Sequence, residues 1–148
     1  MPINKGLYET NYQRKICSNG NADLAMYQNG KPISLNEISL RQNISLSYLE
    51  QLFSKLKNGK LVKSIRGPSG GYILDKSPKD IRLSNIIFAV DEQVKTLNCK
   101  KDSKKGCNGK STKCITHNLW DDLESHINSF FENKSLSDLL KGSNWKTN

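Results

Sequence analysis

The fold is decided by residues 34–74, which read SLNEISLRQNISLSYLEQLFSKLKNGKLVKSIRGPSGGYIL. Ser34 and Glu37 form the Ser-x-x-Glu pattern of a capping box, so a short helix is predicted to begin at Leu35. Asn43 tolerates the left-handed backbone that ends many helices, and it is predicted to terminate this one. The predicted inward face carries Leu35, Ile38 and Leu40.

A second helix is predicted to begin near Ser45. Its apolar residues recur at the i, i+3, i+4, i+7 spacing of one buried stripe, which consists of Leu49, Leu52, Phe53 and Leu56. Two short helices joined by a turn of a few residues have the shape of a helix-turn-helix. Since many amphipathic helix pairs share this pattern, it leaves DNA binding as one interpretation among several.

The residues that follow favour DNA binding. Residues 61–65 and 72–74 read as two short strands, and RGPSGG at residues 66–71 reads as the tight loop between them. A hairpin directly after a helix-turn-helix is a winged helix. Arg66 at its tip can enter a narrow groove while the glycine backbone passes close to phosphates. Winged-helix DNA binding is therefore the preferred interpretation.

The charge of the chain points the same way. Its 148 residues carry 23 basic and 14 acidic side chains, a net charge of +9 that suits a polyanionic partner. Residues 55–66 hold five of the basic residues and no acidic one. Neither a nucleophile–base pair nor a pair of carboxylates suggests catalysis, so the chain is not expected to be an enzyme.

Three cysteines and a histidine gather in a lysine-rich stretch: Cys99, Cys107, Cys114 and His117. This donor set suits zinc or an iron–sulfur cluster. Two disulfides or chance clustering are the alternatives. However, no signal peptide is visible and no apolar run approaches the roughly 18 residues of a membrane span, so a cytoplasmic protein with reduced thiols is expected. Cys17 is predicted to be a free thiol.

The C-terminal half is predicted to be helical. Ser84 is taken as the N-cap of a helix with Ile86, Ile87, Val90 and Val94 inward, and Ser135 as the cap of a last short helix. A long helix is predicted over residues 115–131, with an apolar stripe formed by Ile115, Leu119, Leu123, Ile127 and Phe130. A small domain cannot cover such a stripe alone. The stripe therefore predicts that this helix packs antiparallel to its copy in a homodimer. His126 should be structural or exposed.

These motifs resemble the IscR-type winged-helix iron–sulfur regulators. The resemblance covers residues 33–140 and rests on ISLSYLEQLF (44–53), RGPSGGY (66–72), AVDE (89–92) and CITHNLW (114–120). It implies a mainly α protein: a winged helix-turn-helix with a small hairpin wing and a long C-terminal dimerisation helix. Residues 1–76 would be the DNA-binding domain, and residues 77–148 the cluster-binding loop and dimerisation region.

The resemblance also implies function. The chain would be a dimeric bacterial transcription regulator, in the repressor role, that binds double-stranded operator DNA. A 2Fe–2S cluster, received from the cluster assembly machinery and held by Cys99, Cys107, Cys114 and His117, would let it control cluster assembly genes. Glu50 would help to discriminate classes of DNA site. The residues expected at the DNA are Ser47, Tyr48, Glu50, Gln51, Lys55, Arg66, Gly67, Ser69 and Gly70.

The residues leave open both the signal that the chain senses and the structure of residues 7–22. The signal could be nitric oxide or redox state, or the loop could hold zinc in a non-enzymatic adaptor or a cluster in an iron–sulfur carrier. Residues 7–22 are longer and more polar than the resemblance suggests, and Asn19, Gly20 and Asn21 are predicted to interrupt any helix there.

Overall fold

The structure is a computed structural model that describes residues 5–90 and 115–142, with the side chains of residues 15–90 and 115–142. The expected ligands Cys99, Cys107 and Cys114, and the core position Val94, lie outside the described residues. The described elements are α1 (Lys5–Tyr27), α2 (Leu35–Gln42), α3 (Leu46–Asn58), β1 (Val62–Ile65), β2 (Gly71–Leu74), α4 (Leu83–Val90), α5 (His117–Asn133) and α6 (Leu136–Gly142). This mainly helical architecture with a small hairpin confirms the predicted fold class.

The predicted interruption of the first helix is wrong. Helix α1 runs without a break through Asn19, Gly20 and Asn21. Gly20 packs so closely on Phe53 that an added Cβ would lie 3.1 Å from the ring, and buried Asn21 donates a hydrogen bond to the Cys17 carbonyl (2.9 Å). Tertiary packing thus overrides the poor helix propensity of this segment.

The helix-turn-helix is confirmed. The Ser34 hydroxyl accepts from the Glu37 amide (3.3 Å) while the Glu37 carboxylate accepts from the Ser34 amide (3.1 Å), which completes the capping box. Asn43 ends α2 in the left-handed region at φ 51°. The predicted inward position of Leu40 is wrong, since its side chain is exposed. Leu40 lies two residues after the buried Ile38, so helix geometry places it on nearly the opposite face of α2.

The wing is an antiparallel hairpin in which Val62 pairs with Leu74 and Ile65 pairs with Gly71. Ile33, just before α2, forms an isolated antiparallel bridge with Tyr72. This bridge lies on the edge of β2 that does not pair with β1. The backbone there passes so close to Gly71 that a Cβ would collide with the Ile33 carbonyl. A glycine is required at position 71 because only a residue without a side chain fits this approach.

The C-terminal helices begin and end close to their predicted bounds. Helix α4 begins at Leu83, so Ser84 is a buried residue inside it and the predicted N-cap is wrong by one to two positions. The Arg82 amide donates to the Asn85 side chain (3.1 Å), which places the capping interaction just before Leu83. Ser135 does cap α6, accepting from the Asp138 amide at 3.2 Å.

One hydrophobic core includes side chains from both halves of the chain. Phe53, Ile38 and Leu49 of the helix-turn-helix lie in the same cluster as Ile86 and Leu136. Helix α1 packs against α4 and α6 as well as against β2 and α2. The division at residue 76 therefore does not separate two cores, and it stays a prediction about function.

Candidate nucleic-acid interface and ligand segment

Helix α3 presents a polar face directly opposite its buried stripe. Leu49, Leu52, Phe53 and Leu56 are buried, while Ser47, Glu50 and Gln51 are exposed and Tyr48 is half-buried. At 100° per residue, Ser47 and Gln51 lie on the middle of the outer face, and Glu50 lies on one flank. The expected base-reading residues therefore share one accessible surface at the N-terminal half of α3.

The first turn of α3 also leaves backbone groups accessible. The Ser45 hydroxyl lies 3.2 Å from the Ser47 hydroxyl and, within the described part of the chain, caps no amide of the helix. Amides at a helix N-terminus attract anions such as phosphate. The start of α3 therefore has the chemistry of an anion-binding helix terminus, as a DNA-contacting helix would need.

The wing tip is exposed as expected. Arg66, Gly67 and Ser69 are exposed and Gly70 is half-buried. The Gly70 amide donates to the Gly67 carbonyl (3.0 Å), which closes the tight turn, and Gly67 has φ 128°. The turn projects a guanidinium from a loop with little side-chain bulk, the form expected of a groove-entering wing.

Helix α3 and the wing are held together by direct contacts. The Lys57 ammonium donates to the Ser64 hydroxyl of β1 (2.7 Å). The Phe53 and Tyr72 rings meet edge to face at 5.1 Å, an arrangement that aromatic pairs prefer. The two expected DNA-contacting surfaces are therefore joined by direct contacts.

Lys55 occupies a different environment from the other expected DNA contacts. Its ammonium donates to the Val90 carbonyl of α4 at 3.2 Å. The side chain therefore leans along the flank of α3 toward α4, away from the flank that Lys57 shares with the wing.

Sequence reasoning missed an ion pair that fastens α1 to the helix-turn-helix. The Asp23 carboxylate is buried and accepts from Arg41 Nη2 (2.7 Å), from Arg41 Nε (3.1 Å) and from Gln42 Nε2 (2.8 Å). The Arg41 guanidinium also stacks over the Tyr27 ring at 4.6 Å. This carboxylate raises the pKa of Arg41 through hydrogen bonding. The sequence around Asp23 gives no signal of this partner eighteen residues away.

The described part of the ligand segment is its histidine. His117 is the first residue of α5 and its side chain is buried. His126, on the same helix, is exposed as expected. Because the three cysteines lie outside the described residues, the structure brings together no group of metal ligands within residues 15–90 and 115–142.

Cys17 is separate from that segment. It is a free cysteine, as predicted, and its side chain is buried in α1. Burial raises the pKa of its thiol to about 12, and the nearby Lys55 ammonium opposes this shift only in part. The thiol is therefore protonated at neutral pH and poorly suited to bind a metal.

Helix α5 exposes a row of large apolar side chains. Leu119 is 65% exposed, Leu123 is 42% and Phe130 is 58%. Trp120 is also exposed, while Phe131 packs against the core. The predicted stripe thus exists and, within the described chain, most of it faces solvent. Ile115 precedes the helix and is fully exposed, so it is not the first member of the stripe.

Most of the chain matches the model of a known family. The model of the Rrf2 family, described as iron-dependent transcriptional regulators, matches residues 20–142. The chain belongs to the Rrf2 family. Together with the winged helix, this membership makes it a DNA-binding transcription regulator.

Curated relatives of about 50% identity are named as regulators. The HTH-type transcriptional regulator IscR of Aliivibrio salmonicida is 50% identical over 118 residues, which span 80% of this chain and 68% of the relative. The IscR of Yersinia pestis is 48% identical and matches 80% of this chain and 70% of the relative. These relatives are regulators and not enzymes, in agreement with the prediction.

Solved Rrf2-like structures share the architecture. The IscR of T. potens superposes with a TM-score of 0.69 at 32% identity and covers 87% of this chain and 83% of that one. CymR, the global cysteine regulator of B. subtilis, gives 0.73 at 28% identity and covers 88% of this chain and 95% of that one. In the described part of this Rrf2 chain, no helix has the length and apolar character that a membrane span requires.

Proposed function

We propose that this Rrf2 protein is a cytoplasmic, homodimeric repressor that senses iron–sulfur cluster supply through a 2Fe–2S cluster and controls cluster assembly genes. The observation that carries the proposal is the donor set Cys99, Cys107, Cys114 and His117 in a chain of a family described as iron-dependent. The assembly machinery would be the source of the cluster.

The donor set fits the cluster. Thiolates are the usual ligands of iron–sulfur clusters, and imidazole can replace some of them. Three thiolates and one neutral imidazole carry less negative charge than four thiolates, and the six lysines between residues 100 and 113 offset part of that charge. When bound, such a cluster would supply a redox-active, exchangeable group that is suited to sensing.

His117 supports a link between ligand binding and structure. It is a buried first residue of α5, so a ligand held at its imidazole would restrain the start of that helix. Helix α5 carries the exposed Leu119, Leu123 and Phe130. A second copy of this chain is the partner we propose for that face, since two such stripes related by a twofold axis cover each other.

DNA reading is proposed for α3 and the wing. Ser47, Tyr48 and Gln51 would contact bases or phosphates in the major groove, and Arg66, Gly67, Ser69 and Gly70 would enter the minor groove. Glu50 would accept from cytosine amino groups or repel unsuited sites, so it would restrict which sequences are bound. Residues 1–76 would thus hold the DNA-reading function, and residues 77–148 the sensing and dimerisation functions.

The experiment is metal analysis of protein purified without oxygen. We expect two irons and two sulfides per subunit and visible absorption that Cys99→Ala, Cys107→Ala or Cys114→Ala removes. Cys17→Ala is the matched control, because the buried thiol of α1 should leave the absorption intact. Stoichiometric zinc together with failed iron reconstitution would contradict the cluster and favour the zinc-binding alternative.

The alternative signals need a second measurement. Loaded protein would be exposed to nitric oxide or to an oxidant while operator binding is followed. Release from DNA only when the cluster is removed supports sensing of supply. A change in binding with the cluster iron still present would favour the nitric oxide or redox interpretation.

A further inference from the structure

Two lysines connect the recognition helix α3 to its neighbours on opposite flanks. Lys57 donates to Ser64 of the wing at 2.7 Å, and Lys55 donates to the Val90 carbonyl of α4 at 3.2 Å. At 100° per residue these side chains leave the helix about 160° apart. One flank of α3 is thus fastened to the wing and the other to α4.

The contact with α4 is more than one hydrogen bond. Gly59, which follows α3, lies so close to α4 that an added Cβ would be 3.0 Å from the Ala89 Cβ. Leu56 of α3 and Ile86 and Val90 of α4 are buried in the same core. The end of α3 and the last described turn of α4 are therefore packed together, with Lys55 at their edge.

Helix α1 meets the same junction. The Lys55 ammonium acts electrostatically on the buried Cys17 thiol of α1, so three helices lie within reach of this one charge. Val90 is the last described residue of α4, and Cys99, the first of the expected ligands, follows nine residues later in the sequence. The partner of Lys55 is thus the part of the described chain that immediately precedes the ligand segment.

We propose that Lys55 is a positioning residue that fastens α3 to the end of α4 and so couples the ligand segment to the DNA-reading surface. This inference rests on the proposed sensing function, and it replaces the DNA contact expected for Lys55. A movement of α4 at Val90 pulls on the flank of α3, whereas Lys57 holds the opposite flank to the wing.

Position along the helix agrees with this role. Recognition helices read bases mainly with their N-terminal residues. Lys55 lies eight residues after Ser47, about 12 Å further along the axis. From there, a small rotation about the Lys55 end is sufficient to displace Glu50 and Gln51 at the DNA.

The test compares Lys55→Met with Lys55→Arg and with the control Lys60→Met in the full chain. Lys60 is an exposed lysine in the turn after α3, so Lys60→Met removes the same charge as Lys55→Met. Affinities for a selected operator and for random-sequence DNA are measured over a salt series, with and without the cluster. For Lys55→Met, we expect the salt dependence of affinity for random DNA to stay as in wild type. The ratio of operator affinities of cluster-loaded and cluster-free protein should move toward one. Lys55→Arg and Lys60→Met should keep that ratio.

A salt slope that falls by about 0.9, the effect of one lost phosphate contact, with an unchanged ratio would overturn the proposal. If wild-type protein itself binds equally with and without the cluster, the sensing function fails, and hydrogen exchange then decides the role of Lys55. Faster exchange in residues 55–59 and 86–90 of cluster-free Lys55→Met, but not of Lys60→Met, supports the fastening role. Unchanged exchange refutes it.

Discussion

Helices α3 and α5 carry the same kind of apolar stripe, but the α3 stripe is buried within the described chain and most of the α5 stripe is exposed. In α3, Leu49, Phe53 and Leu56 are fully buried. In α5, Leu119 and Phe130 are more than half exposed. The spacing of apolar residues therefore shows that a helix has a face to bury, without showing whether its partner is in the same chain.

The buried stripe of α3 should determine the stability of the fold, whereas the exposed stripe of α5 should determine the assembly of the proposed dimer. Helix α3 packs against α2 and α4, and its Phe53 and Leu49 side chains lie close to Gly20 of α1, so the expected DNA-reading surface is attached to the core. The α5 stripe would acquire its partner only in the proposed dimer. Substitutions in the two stripes should consequently have different effects, which the following predictions exploit.

The largest effect is expected from Phe53→Ala. Phe53 is fully buried and contacts both Tyr72 and the backbone near Gly20. Loss of the ring should lower the free energy of unfolding by about 3–5 kcal/mol. Phe130→Ala in α5 is the matched control and should cost far less. Urea titrations measure the free energy of unfolding of both variants, each combined with Leu123→Asp so that all chains have the same oligomeric state. An equal loss for Phe53→Ala and Phe130→Ala would contradict the comparison.

Leu123→Asp should break the proposed dimer and leave the fold intact. The new carboxylate would be buried unpaired between two copies, at a cost of several kcal/mol, so the dimer Kd should rise at least a hundredfold. Leu40→Asp, at an exposed leucine of α2, should leave the dimer unchanged. Sedimentation velocity at micromolar concentration decides the matter. A wild-type monomer would refute the proposed partner of α5.

Gln51→Ala should act on DNA reading alone. Gln51 lies at the centre of the exposed face of α3, so its loss should cost about 1–3 kcal/mol on operator sites and little on random DNA. The unfolding midpoint should stay within the error of wild type. Fluorescence anisotropy with both DNAs provides the comparison. An equal loss on both would show that Gln51 contacts the backbone instead of bases.

The smallest expected effect concerns helix starts. Ser34→Ala removes the capping box of α2 and should lower the free energy of unfolding by about 1 kcal/mol. Ser45→Ala, at the start of α3, should cost less because its hydroxyl is directed to Ser47. Thermal unfolding of the two variants side by side tests this ranking, and the reverse order would contradict it.

The elements that local patterns encode were predictable from the sequence. The capping box at Ser34, the left-handed Asn43 and the glycine-rich wing each need only a few neighbouring residues. Helix α1 was not predictable through Gly20, because the stabilising contact with Phe53 is distant in sequence. The same holds for the Asp23 ion pair with Arg41 and for the Lys55 bond to Val90. The proposed cysteine ligands rest on residue type and spacing alone, and they stay a prediction because they lie outside the described residues.

The most direct test of cluster-dependent regulation is a binding survey over randomised DNA with cluster-loaded and cluster-free protein, for wild type and Glu50→Ala. We expect loaded and cluster-free wild type to select different sets of sites, and Glu50→Ala to broaden the selected set because a repulsive group is removed. Identical site spectra for loaded and cluster-free wild-type protein would contradict the account that the ligand segment controls DNA reading.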